Sequence, residues 1–201
     1  MERKRTRIIA AWLIAAALVA GAFFWAIVFE GLANVAATDK HYSIVEWTLK
    51  TTMRNSVRRA AQDLKAPSLG GEETIRLGAM HYDEMCASCH AAPGKAADEL
   101  ADGLFPKPPA IEKIVNDRTP EELFWVTKHG IKMTGMPAWG TSHGDTDIWA
   151  MVAFMKTMPK TTPEGYKLLV SRDHQIGEMP AGADPHGNFH RHDEHGRHDP
   201  D

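Results

Sequence analysis

Apolar and polar positions are distributed very unevenly along the chain. Ile8 to Phe29 runs without a charge and follows the basic flank Glu2-Arg3-Lys4-Arg5-Thr6-Arg7. Such a run matches the ~20 residues a helix needs to cross a bilayer, and exceeds the roughly 7–15 apolar residues of a cleavable signal core. The pattern predicts a cytoplasmic flank over 1–7 and a retained transmembrane helix over 8–32. The alternative is removal at the small-residue site Val35-Ala36-Ala37. The basic flank stays inside by the positive-inside rule, which puts the rest of the chain outside the cytoplasm. Further on, Val45, Leu49, Met53, Val57, Ala60 and Leu64 recur every three or four residues, predicting a helix over His41–Lys65. Arg54, Arg58, Arg59 and Lys65 lie off that stripe. A basic amphipathic helix just after an anchor either rests on anionic lipid, or packs on the C-terminal domain or forms a rigid stalk, and the sequence leaves these open.

Ala66-Pro67-Ser68-Leu69-Gly70-Gly71 is a breaker segment that closes this helix-and-linker region, 33–69. Over 70–170 the pattern predicts an all-α domain of three helices. The first spans Glu72–Met85. The second starts after Thr119 as N-cap, with Pro120 in the first turn and acids behind it, and stops at His129 before Gly130. The third spans Asp145–Met158, ended by Pro159. The Pro-, Gly- and Ala-rich stretch Ala91–Lys113 reads as loop, and a loop that long in a small domain suggests one wrapped around a cofactor. Residues 171–201 are poor in core formers and are expected to be disordered.

The net charge of −3 over 201 residues gives no indication of nucleic-acid binding. The two cysteines change the picture more. They lie together in Cys86-Ala87-Ser88-Cys89-His90, which excludes a disulfide scaffold and a four-cysteine zinc site. Cys-x-x-Cys-His is the attachment pattern of a c-type haem. Two thiols a helical turn apart can add to the porphyrin vinyl groups, and the adjacent imidazole can bind iron. The competing reading, a redox dithiol followed by an incidental histidine, expects a strand before the motif, and no strand alternation is visible.

A closed haem site needs a sixth ligand. Met136, in Lys132-Met133-Thr134-Gly135-Met136-Pro137-Ala138-Trp139-Gly140, is the candidate. Its thioether favours ferrous iron, Gly135 lets backbone approach the haem and Pro137 stiffens the loop. Met133 is its competitor, and His129 and His143 are less favoured donors. Met80, Met85, Met151, Met155 and Met158 read as packing on predicted helices. In the tail, His174, His186, His190, His192, His195 and His198 suggest weak metal binding or simply titrating imidazoles.

With these motifs in place, the stretch Glu73–Tyr166 resembles the class I c-type cytochromes, in their monohaem form anchored by a single N-terminal helix. The resemblance implies a helical fold around one covalent haem, with His90 proximal and Met136 distal. It also implies packing of a first-helix glycine and aromatic, here Gly78 and Tyr82, against an aromatic of the last helix, here Phe154, with Trp149 a possible neighbour. A proline carbonyl is implied to accept the proximal imidazole N–H; Pro109 is the match and Pro108 the alternative. Many relatives have glycine after the histidine, where this chain has Ala91.

The expectation is therefore a single-electron carrier rather than an enzyme, on the periplasmic side of a bacterial inner membrane. Its partners would be a dehydrogenase or oxidase, with Lys128, Lys132 and Trp139 as candidate docking contacts. The alternatives are an open-site haem enzyme or gas sensor, and a cytochrome subunit of a larger membrane oxidoreductase.

Overall fold

The computed structural model describes residues 2–171, and among them there are helices and turns but no strand. The histidine-rich tail lies outside the described residues. Helix α1 (Glu2–Phe29) is long and apolar enough to cross a membrane and buries none of its residues in the protein. Helix α2 (Ser43–Ala61) follows, and then come α3 (Glu72–Met85), which begins and ends where the apolar pattern placed it, and the single turn α4 (Ala87–His90).

The stretch expected to be loop contains two more one-turn helices, α5 (Glu99–Asp102) and α6 (Ile111–Ile114). Four-residue helices are too short to leave a periodic signature. Helix α7 (Pro120–His129) has a full capping box: the Glu122 N–H donates to Thr119 Oγ1 at 3.2 Å, and the Thr119 N–H to Glu122 Oε2 at 3.4 Å. Helix α8 (Asp145–Thr157) is followed by a further helix that the reading of three elements missed, α9 (Pro163–Val170).

The core is built on the crossing of α3 and α8. Gly78 makes it possible: a Cβ there would lie 1.9 Å from the Ala150 carbonyl oxygen. One turn on, Tyr82 packs against Phe154 with ring centroids 5.3 Å apart, and Tyr166 of α9 stacks on the same Phe154 at 5.7 Å. Trp149 belongs elsewhere, stacked on Phe124 of α7 at 4.1 Å. Met151, Met155 and Met158 are buried in this core, as packing methionines should be. Tyr166 Oη donates to Asp83 Oδ1 at 2.6 Å, and the Lys95 ammonium reaches the same oxygen at 2.8 Å. Burial acts to raise the Asp83 carboxyl, but these two hydrogen bonds and the Lys95 charge outweigh it and hold the group below its ordinary range.

Helix α2 divides into two halves. Its C-terminal half packs on α7 through Val57 and Ala61, both buried, and Arg58 Nε approaches the buried Glu122 Oε1 at 3.8 Å. The expected stripe is buried only from there on: Val45 and Leu49, its first members, are exposed, and Ala61 rather than Ala60 is the buried alanine.

Candidate functional site

Helix α3 delivers the cysteine pair. The Cys86 N–H donates to Tyr82 O at 2.9 Å, and the next turn closes through Cys89 N–H and His90 N–H, both to Cys86 O, at 3.1 and 2.8 Å. Cys86 is buried, Cys89 half-buried, and both are free thiols. Burial, helped by the nearby Cys89, pushes the Cys86 thiol up to about 12. A dithiol oxidoreductase needs the opposite, a thiol lowered towards neutrality. The absence of a preceding strand among the described residues points the same way.

His90 is half-buried, and its Nδ1 lies 2.8 Å from the Pro109 carbonyl oxygen. A carbonyl can only accept, so Nδ1 carries the proton and Nε2 keeps its lone pair. Burial lowers the imidazole below its usual range, while the Pro109 bond acts in the other direction. The net effect favours the neutral ring that a metal ligand must be.

The turn after His90 explains the unusual residue there. Ala91 has φ 61° and ψ 173°, a region populated almost entirely by glycine. It is held in place by its own N–H, which donates to Ala87 O at 3.0 Å, and by Tyr82 Oη, which donates to Ala91 O at 2.7 Å. Ala91→Gly should therefore stabilise the domain, by about 1 kcal/mol after the added freedom of the unfolded chain is subtracted. A denaturant midpoint on the purified protein checks this, and an unchanged or lower midpoint would contradict it.

Met136 is placed by the loop between α7 and α8. Gly130, at φ 64°, ends α7, and a Cβ there would meet Met136 O at 2.7 Å, so the loop folds back tightly over the helix end. Thr134 staples it: its Oγ1 donates to Ile131 O at 2.8 Å and accepts the Met136 N–H at 3.1 Å, while the Ile131 N–H donates to Met136 O at 3.2 Å. Met136 is half-buried, whereas Met133 is 97% exposed. Gly135 lies against the Leu104 side chain, where a Cβ would be 2.9 Å from Cδ1.

The other candidates are occupied differently. His143 bonds Ser142 Oγ through Nδ1 at 2.9 Å and lies edge-on to His81 and Trp139, each at 5.7 Å. His129 is exposed beside Trp125. Lys128 is paired with Asp145 at 2.6 Å and lies over the Phe124 ring, so it is not a freely solvated docking charge.

Residues 73–155, from α3 almost to the end of α8, match the family model described as cytochrome c oxidase, cbb3-type, subunit III. The chain carries a cytochrome c domain. Comparison with curated proteins finds no match. A cytochrome c domain binds haem and serves electron transfer, and the donors present fit that group. Two free thiols stand a turn apart, an adjacent imidazole presents Nε2, and a stapled loop supplies a thioether. Sequence reasoning passed over two contributors. Tyr82 was read only as a packing residue, although its hydroxyl holds Ala91. The Thr134 hydroxyl was passed over, because its bonds to Ile131 O and Met136 N–H depend on how the loop folds back on Gly130.

Proposed function

We propose that this cytochrome c domain is a single-electron carrier with one covalent haem, attached through Cys86 and Cys89, with His90 and Met136 as axial ligands and α1 as its anchor in the inner membrane. The observation that carries the reading is the His90–Pro109 hydrogen bond beside two free thiols one helical turn apart. When bound, haem supplies a one-electron iron couple. The chain's own residues then do the positioning. The Pro109 carbonyl fixes the tautomer and plane of the His90 ring, and a bond of that kind also raises ligand basicity. The tight turn at Gly130, which ends α7, and the Thr134 staple hold the Met136 loop, so that little in the protein has to move when the charge of the site changes. By the positive-inside rule, the basic flank before Ile8 puts the haem domain in the periplasm.

A second reading keeps the same chemistry and makes the chain a subunit of a larger membrane oxidoreductase. It is favoured by the description of the family whose model matches. Retention of other redox subunits during purification in mild detergent would support it.

The test is the visible spectrum of the detergent-purified protein, oxidised and reduced, with carbon monoxide added to the reduced sample. A c-type spectrum, a methionine-to-iron band and no response to carbon monoxide are expected. A clear response would mean an open sixth position and would move an enzyme or gas sensor ahead of the carrier.

A further inference from the structure

The N-terminal half of α2 is an exposed apolar surface with an unusual composition. Tyr42 is 84%, Ile44 68%, Trp47 63% and Leu49 53% exposed. Ile44, Val45, Thr48 and Leu49 line a shallow apolar depression. At 3.6 residues per turn, Ile44, Val45 and Thr48 lie about a third of the circumference or more from Val57, which docks the other half of the helix on α7, and Leu49 lies a little under a quarter from it, at the edge of the exposed face. The exposed face and the docked face therefore point in different directions.

Three observations identify what covers the exposed face. The first is reach: α1 ends at Phe29 and α2 begins at Ser43, and residues 30–42 fully extended span at most about 50 Å. On the reading of α1 as an anchor, on which this inference rests, that surface is tethered beside the bilayer. The second is composition. Tyr and Trp among aliphatic side chains are the residues that settle at the headgroup level of a membrane. The third is charge. Lys40, Arg54 and Arg59 are exposed around this segment. Its two acids are engaged locally, Glu46 with Lys50 and Asp39 with Asn34.

We infer that the N-terminal half of α2 inserts shallowly into the anionic surface of the same bilayer that holds α1. Because the C-terminal half is fixed to α7 by Val57, Ala61 and the Arg58–Glu122 pair, α2 acts as a bracket. It holds the cytochrome domain at a set height and tilt above the lipid, instead of letting it swing on residues 30–42.

The experiment uses the full haem-loaded chain, whose native thiols are consumed by haem, in phosphatidylglycerol vesicles. One cysteine at a time is introduced and spin-labelled: Leu49→Cys in α2, Val19→Cys in α1 and Lys167→Cys in α9. Collisions with oxygen, which partitions into lipid, are compared with collisions with a water-soluble nickel chelate. The label at 49 should lie about 5–10 Å into the interface and collide with nickel roughly threefold less than the label at 167. The protection should weaken in phosphatidylcholine vesicles. Full nickel access at 49, with 19 still shielded, would overturn the bracket and leave the anchor standing. Shielding of 49 from both probes would overturn it in favour of a protein occupant, such as a second copy. Equal protection in the two lipids would overturn the anionic surface as occupant. Nickel access at 19 would overturn the anchor and this inference with it.

Discussion

Gly78→Ala should be among the most damaging single-methyl changes in the domain. The added Cβ would lie 1.9 Å from Ala150 O, 2.4 Å from Ala150 C and 2.9 Å from Met151 N. All three are backbone atoms in the middle of α8, so no rotamer change relieves the contact. The two helices would have to separate, and α8 buries Ile148, Met151, Val152, Ala153 and Phe154 in doing its part of the core. Overpacking a close-packed interior typically costs about 1–3 kcal/mol, and a clash between two backbones belongs at or above the top of that range. Alanine's better helix propensity returns less than about 1 kcal/mol. Against a total stability of about 5–15 kcal/mol, the melting temperature should fall by roughly 10 °C or more. Circular dichroism of the haem-loaded protein on heating measures this. A wild-type melting curve would mean that α3 and α8 cross further apart than described.

Met136→Ala should separate attachment from ligation. The variant is expected to keep its haem through Cys86, Cys89 and His90, to lose the methionine-to-iron band and to bind carbon monoxide when reduced. Loss of a thioether ligand should also lower the reduction potential, on the order of 0.1 V, within the ~0.8 V range that axial ligands span. Met133→Ala is the control. Its side chain is almost fully in solvent, so spectrum and potential should match the parent. If instead Met133→Ala opened the site and Met136→Ala did not, the loop would have to refold around the haem and the assignment would be reversed.

Much of this was legible from the residues, and the exceptions have physical reasons. Helix α3 was placed to the residue because a breaker segment precedes it and the cysteine pair follows it directly. The Thr119 cap was readable because a capping box is a local device with its own signature. The Gly78, Tyr82 and Phe154 contact and the Pro109 carbonyl came through the resemblance, since no spacing connects positions so far apart in sequence. The two methionines of one loop could not be ranked by burial until the loop was folded: Met133 and Met136 differ in a turn that depends on Thr134 and Gly130. Helix α2 shows a different limit. Its stripe is continuous in sequence, yet only its second half finds a protein surface to cover it, and periodicity says nothing about where a partner ends. Ala91 was noticed as a departure from relatives, while the reason it matters, a positive φ secured by Tyr82, is a tertiary fact.

The docking of α2 on α7 has a practical side for anyone who wants the redox module in water. Cutting at Gly70, where the composition breaks, would strip Val57 and Ala61 from α7, remove Leu64 and Leu69 from the edge of the core and deprive Glu122 of Arg58. The fragment would expose an apolar scar of the kind that drives aggregation. A fragment beginning near Thr38, with Ile44, Trp47 and Leu49 made polar, keeps the whole buttress and discards only what faces outward. For expression, crystallisation or wiring to an electrode, the useful start of the module lies upstream of its apparent linker.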